Sequence, residues 1–156
     1  MPDDDRVASR VVSVERTIPA DAERIFNILA DPAQHPLIDG SGSVRSASTN
    51  NPERLAQGTP FAMRMSLGAR YRIHNVVVEF EESRRIAWRH FAGHRWRYVL
   101  TPVDGGTLVR EEWDSTSAPW AYPLLRLLGF PKRNRQGMQQ TLLRLERRAT
   151  DPSDAR

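Results

Sequence analysis

RRIAWRHFAGHRWRYVLTPVDGGTLVREEWDS, Arg84 to Ser115, reads as two hairpins in succession, and their register decides the fold. The pair Asp104-Gly105 is the strongest short hairpin signal, a two-residue turn that tolerates positive φ. It sets Val103 opposite Gly106, and therefore Leu100 opposite Val109, Tyr98 opposite Glu111 and Trp96 opposite Trp113. A three-residue loop at Phe91-Ala92-Gly93 sets His90 opposite His94, Trp88 opposite Trp96 and Ile86 opposite Tyr98. The two registers agree: Trp88, Trp96 and Trp113 form a row across three strands on one face. The other face carries Arg89, Arg95, Arg97, Arg110, Glu112 and Asp114, with Arg97 across from Glu112 and Arg95 across from Asp114. Each such pair is worth about 0.2–1 kcal/mol on a wet surface, and Arg89 opposite Arg95 is a mild objection. A slip of one residue would put tryptophans among the charges, so the hydrophobic pattern selects this register.

The same period of two extends outward from Val44 to Ser117, with turn signals at Asn50-Asn51-Pro52, Leu67-Gly68 and Glu82-Ser83. Phe61, Met63, Met65 and Leu67 share one face while Arg64 points away. Val76, Val78 and Phe80 are placed on the inner face, and either His74 or Asn75 must join them. Before this sheet, Val7–Ile18 reads as a β-branched strand that pairs with the last one. Asp21 then caps a helix whose Ala22, Ile25, Phe26 and Leu29 lie on one side. Pro32 and Pro36 limit the next segment to a short second helix. After the sheet, Gly129 and Pro131 separate a short arm from a long helix with an apolar stripe of Met138, Thr141, Leu142, Leu145 and Ala149. The order is that of an α+β domain over residues 7–150, with short tails at 1–6 and 151–156 expected to lack order.

Composition narrows the functional classes. The 156 residues are 39% hydrophobic and contain no apolar run near the ~20 needed to span a bilayer. The start MPDDDR has neither the basic end nor the apolar stretch of a signal peptide, so a cytoplasmic address is expected. The absence of cysteine excludes disulfides, thiol redox chemistry and thiolate metal sites. The formal charge of +4 rests on arginine, Lys132 being the sole lysine. No nucleic-acid module accompanies the basic run at Lys132, Arg133 and Arg135, which reads as a solvated helix face; nucleic acid is not an expected partner.

Several residues invite chemistry. The register puts Glu111 among the inward aromatics, opposite Tyr98. A buried carboxyl there needs a partner or a raised pKa, and Arg16, in step with Val12 and Val14, is the candidate partner. Glu111, Tyr98 and Arg16 are thus the candidate acid/base set; the plainer alternatives are a structural ion pair or a bulge that turns Glu111 to water. His90 and His94 flank a turn with no evident third or fourth ligand, so they read as turn histidines at a pocket mouth and no metal is expected. Asp39-Gly40-Ser41-Gly42 has neither a preceding strand nor a following helix, unlike a phosphate loop. It reads as a connector in which Asp39 bonds nearby amides, Gly40 and Gly42 take positive φ, and Leu37 and Ile38 reach a cavity rim. Trp120 and Tyr122 in the arm suit a membrane interface, but a lid or a homodimer contact is the preferred reading. Transient membrane contact without stable insertion is compatible with this. The sheet aromatics and methionines leave two readings open, a filled core or a pocket.

The chain also resembles a known family. VERTIPADAERIFNILADPAQHP after the first strand, IDGSG before the second, VVEFEESRRIAWRH in mid-sheet and LGFPKRNRQGMQQTLLRLERRA at the end are similar to the START-like, or SRPBCC, superfamily, in its polyketide cyclase/dehydrase and lipid transport branch. The similarity covers about residues 7 to 150. It implies a helix-grip fold, a curved antiparallel sheet around a long C-terminal helix, with a cavity that in relatives holds sterols, lipids, polyketides or other aromatic ligands. It assigns no reaction, because one fold hosts many activities, and no cofactor is expected. The expected ligand is a hydrophobic, ring-containing small molecule. Its expected contacts are Phe26, Ile38, Phe61, Met63, Met65, Val78, Trp88, Trp96, Tyr98, Trp113, Met138 and Leu142. A cyclase or dehydratase working through Glu111 is the alternative.

Overall fold

The computed structural model describes residues 10–90 and 93–154. The acidic start, the loop residues Phe91 and Ala92, and the last two residues lie outside the described residues. The elements are β1 (Val11–Ile18), α1 (Ala22–Ala30), a 3-10 turn (Pro32–Gln34), α2 (His35–Ile38), β2 (Val44–Ala47), β3 (Pro60–Leu67), β4 (Ala69–Glu81), β5 (Arg85–His90), β6 (Arg95–Val103), β7 (Gly106–Asp114), α3 (Tyr122–Leu127) and α4 (Phe130–Thr150). The stretch after α4 was expected to lack order, yet Pro152–Asp154 forms another 3-10 turn. There Asp151 Oδ1 accepts hydrogen bonds from the Ser153 amide and hydroxyl.

All seven strands join one antiparallel sheet in the order β1-β7-β6-β5-β4-β3-β2. It curls as a half-barrel around α4, which makes this a helix-grip fold. Both hairpin registers form as read: Trp88 faces Trp96, Trp96 faces Trp113, and Tyr98 faces Glu111. Arg97 on the outer face bonds Glu112 at 2.8 Å and Glu79 at 2.6 Å. The stripe on α4 is buried at every expected position. The α1 face packs on β5, β6 and α4, with Ile25, Phe26 and Leu29 fully buried.

One strand departs from the expected alternation. Val77 pairs with Trp88 and Phe80 with Ile86, so three residues on β4 span what two cover on β5. The extra residue is a bulge at Val78, and it shifts the parity of the strand. Asn75 and Val77 therefore face inward on one side of the bulge, and Phe80 on the other. Val76 is exposed and Val78 is half-buried away from the core cluster, contrary to the inward placement read from alternation. The bulge also resolves the pair next to it, with Asn75 buried and His74 exposed.

The connector between α2 and β2 also differs in its reason for glycine. Gly42 has φ +73° with open space around it, as a reversing turn requires. Gly40 has no positive φ; it is glycine because a Cβ there would overlap the Gly137 carbonyl oxygen and the Thr141 backbone nitrogen of α4. The Gly40 amide donates to Thr141 Oγ1 at 2.9 Å, tying the connector to the helix. Since the obstacles are backbone atoms, Gly40→Ala is expected to destabilise by about 2–3 kcal/mol. Gly42→Ala, which meets only the left-handed penalty, should lose about 1 kcal/mol. Urea denaturation of the two variants checks the order, and equal losses would remove the close-packing argument.

Candidate functional site

Between the sheet and α4 lies a cavity with about 170 Å³ open to the centre of a water molecule. One water needs roughly 10–15 Å³ on that measure, so the space holds on the order of ten waters or a small organic molecule. The cavity is partly open to solvent. Its sheet wall is built from alternate residues of successive strands: Phe61, Met63 and Met65 of β3, Ile73 and Asn75 of β4, Trp88 and His90 of β5, Trp96 and Tyr98 of β6, and Glu111 of β7. Met138, Thr141, Gly137 and Asn134 close it from α4, and His35, Ile38, Asp39, Ser41, Ser43 and Val44 from α2, the connector and the start of β2.

The aromatic part is a continuous contact chain. His35 stacks on Trp88 at 4.9 Å, Phe61 meets Trp88 edge-on at 5.6 Å, and Trp88 lies 5.7 Å from Tyr98. His35 Nε2 donates to the Leu29 carbonyl oxygen, 2.8 Å away. Burial pushes the His35 pKa down, against the pull of that hydrogen bond, so the ring is neutral at pH 7. His90 and His94 stack across their turn at 4.7 Å, as the hairpin register foresaw. Burial, with a smaller push from His94, lowers His90 to about 4; burial lowers His94 too.

Glu111 is the chemically unusual group. It is 2% exposed; Tyr98 donates its hydroxyl proton to Oε1 at 2.9 Å, and Oε2 has no hydrogen-bond partner among the described residues. Desolvation raises its pKa to about 8, opposed by the Tyr98 hydrogen bond and aided by the charge of Asp39. Burial and the nearby Glu111 carboxyl push Tyr98 well above the ordinary phenol value. Glu111 therefore carries its proton at pH 7, and Tyr98 stays a phenol. Arg16 is not its partner. It lies opposite Val109 on the inner face, but its guanidinium reaches α4 and bonds Glu146, with Nε at 2.6 Å from Oε2.

Of the expected contact residues, Ile38, Phe61, Met63, Met65, Trp88, Trp96, Tyr98 and Met138 border the cavity. Phe26, Trp113 and Leu142 do not; they face inward but are sealed in the core, at 0%, 2% and 1% exposure. Phe26 meets Phe80 edge-on at 5.2 Å under α1, and α4 packs over β1 and β7 where Trp113 sits. Val78 is removed by the bulge. Of the two connector residues expected at the rim, Ile38 borders the cavity but Leu37 is exposed. Sequence reasoning missed the polar rim of Asp39, Ser41, Ser43 and Asn134. It also missed His35, for which spacing was a usable signal: His35 and Ile38 are i and i+3 on α2 and share a face.

The Asp39 carboxylate accepts from the Ser41 amide, the Ser41 hydroxyl and the Val44 amide at 2.8–3.1 Å, which rigidifies the rim. No group of three or more metal-ligating side chains occurs among the described residues. Among them, no helix is long and apolar enough to cross a membrane. The arm at Trp120, Leu124, Leu127 and Leu128 is highly exposed.

Comparisons with known proteins agree with this geometry. The pattern of the family described as polyketide cyclase/dehydrase and lipid transport matches residues 9–150. The "Uncharacterized protein Rv0088" of Mycobacterium tuberculosis is 34% identical over 139 residues, 86% of this chain and 62% of that protein. The chain thus spans about three fifths of the curated relatives it matches. Among solved structures, protein NE0264 of Nitrosomonas europaea superposes with a TM-score of 0.68 at 15% identity, covering 91% of this chain and 95% of that one. The AHSA1-like protein of Aeromonas hydrophila does so with a TM-score of 0.64 at 19% identity, covering 88% and 90%. At these identities the structural likeness shows the fold alone.

Proposed function

The chain belongs to the polyketide cyclase/dehydrase and lipid transport family, and from that premise we propose that it binds a hydrophobic, ring-containing small molecule, lipid-, sterol- or polyketide-like, in the cavity between sheet and α4. The observation that carries this reading is the wall itself. Trp88, Trp96, Phe61, Met63 and Met65 border open space where a filled core would have interlocked them. Protein interiors rarely leave voids larger than a water, and a concave, mostly apolar space with a few convergent polar groups is the usual form of a small-molecule site.

Native mass spectrometry of the purified protein, with solvent extraction, tests for a bound molecule directly. Tryptophan fluorescence during titration with apolar aromatics tests the location. The response is expected to fall in Trp88→Phe and to survive in Trp120→Phe, since Trp120 is exposed on the arm and does not line the cavity. No bound species and no spectral response to any ring compound would leave the reading without support.

One observation favours a second reading, a cyclase or dehydratase. A carboxyl on a cavity-lining residue, with a pKa of about 8 and an Oε2 that has no partner among the described residues, can give or take a proton near neutrality. In that reading Glu111 is the acid/base and Tyr98, which stays protonated and so offers no phenolate base, orients it. Arg16 drops out because Glu146 holds it. Once a substrate is known, turnover unchanged in Glu111→Gln would remove this reading while leaving binding intact.

A further inference from the structure

We infer that the cavity selects an uncharged ring compound whose polar end is a hydrogen-bond acceptor, such as a ketone, and rejects carboxylate-headed amphiphiles, with Glu111 Oε2 as the group that reads the acceptor. The inference rests on the ligand-binding reading above and concerns the chemical class of the ligand.

A buried carboxylate or phosphate is held by a cation or by several convergent N–H donors, because burying the charge alone is prohibitive. This chain has 23 basic residues, and among the described residues no arginine or lysine borders the cavity. Three arginines with inward or sheet positions are held by carboxylates, Arg97 by Glu79 and Glu112 on the outer face, Arg16 by Glu146 and Arg110 by Glu15, and Arg144 of α4 reaches the rim connector but donates to the Asp39 backbone oxygen without lining the cavity. The remaining sources of positive charge at the wall are His35 and His90, and burial keeps both neutral at pH 7. On the rim stands the Asp39 carboxylate, fixed by the Ser41 and Val44 amides. Among the described residues, an anionic headgroup inside this cavity would meet a carboxylate and no cation on the lining.

Glu111 supplies the positive half of the selection. Oε1 is committed to the Tyr98 hydroxyl, while Oε2 is buried with no partner among the described residues, on a residue that borders the cavity. A protonated carboxyl has one O–H to donate, and a carbonyl oxygen on the ligand satisfies it. A ligand with only hydrocarbon leaves that donor unsatisfied, which is the form of polar discrimination that binding sites use most effectively. The other titratable groups that line the cavity with Glu111 are Tyr98 of β6, Asp39 of the connector, His35 of α2 and His90 of β5, while Arg16 of β1, inward beside Val109, is paired with Glu146 of α4. The four cavity residues of α4, namely Asn134, Gly137, Met138 and Thr141, are uncharged. Tyr98 is pushed far above 10 and the histidines below their ordinary range, so Glu111 is left as the group that changes charge between pH 6.5 and 9.5.

Equilibrium dialysis with three probes of equal ring shape provides the test: naphthalene, 2-acetylnaphthalene and 2-naphthoate, at pH 6.5 and 9.5. The ketone is expected to bind at least tenfold tighter than the carboxylate at pH 6.5. Its affinity should fall at least tenfold by pH 9.5, while that of naphthalene stays level. Glu111→Gln keeps an N–H donor in place of the O–H, and ketone binding should then persist without the pH dependence. Carboxylate binding equal to ketone binding, or ketone binding level with pH in the unaltered protein, overturns the inference and leaves the cavity reading standing. Failure of all three probes in the unaltered protein overturns both.

Discussion

Trp113→Ala is expected to lower the stability of the fold by about 3–5 kcal/mol, the usual loss for truncating a large buried aromatic. Trp113 is 2% exposed, pairs with Val12 and Trp96 in the sheet, and meets His94 edge-on at 5.8 Å. At roughly 2–4 °C per kcal/mol for a chain of this size, the melting temperature should drop by roughly 6–20 °C. Trp96→Ala is the informative contrast, because that ring already faces open space on one side. Its removal should destabilise less and should weaken ring-ligand binding, whereas Trp113→Ala should leave the ligand preference of the surviving folded protein unchanged. Thermal denaturation of both variants decides it; equal losses would mean that Trp96 is as tightly packed as Trp113 and that the wall is not a wall.

The second large effect is a dependence of stability on pH set by Glu111. Its folded pKa of about 8 lies above the 4.5 of the unfolded chain. Between those values the folded state keeps a proton that the unfolded state has released, so stability falls as pH rises through the window. The contribution is complete below pH 4.5 and gone above about 8. At ~1.4 kcal/mol per pK unit, the loss is on the order of a few kcal/mol. His35, His90 and His94 act in the opposite sense: their pKa values are lowered, so stability rises with pH up to about 6.5. The clean window for Glu111 is therefore pH 6.5 to 8. Urea midpoints measured at pH 6.5, 7.5 and 8.5 should decline in the unaltered protein and stay level in Glu111→Gln. A flat profile in both proteins would show that Glu111 is solvated or paired in the folded state.

The parts of this fold that were legible in the sequence are those governed by local chemistry and period. The Asp104-Gly105 turn and alternation placed Trp88, Trp96 and Trp113 in one row, and helical spacing found the buried stripe from Met138 to Ala149. What alternation cannot register is an extra residue, and the bulge at Val78 turned Val76 and Val78 out of the expected face. Nor does a face reveal depth. Phe26, Trp113 and Leu142 point inward with the cavity residues, yet whether an inward side chain meets another side chain or open space depends on where α1 and α4 sit. Arg16 failed for a similar reason, since its long side chain was captured by Glu146, 130 residues away. The polar rim comes from a connector without period, so its Asp39, Ser41 and Ser43 carried no directional signal. Gly40 looked like a turn glycine because Thr141, on the helix that presses on it, is 101 residues distant in sequence.

The bulge on β4 does more than correct a face assignment. It acts as a phase shifter within a single strand, so that one 13-residue segment serves both the cavity and the packed core under α1. Before it, Asn75 presents a polar contact to the cavity and Val77 lies in the core cluster; after it, Phe80 locks against Phe26 beneath α1. Without the extra residue the strand would keep one phase throughout, and tuning either half would constrain the other. With it, the cavity end of the strand can be varied for ligand shape while the Phe80 end goes on anchoring the fold, an insulation between evolvable and structural halves carried by one inserted valine.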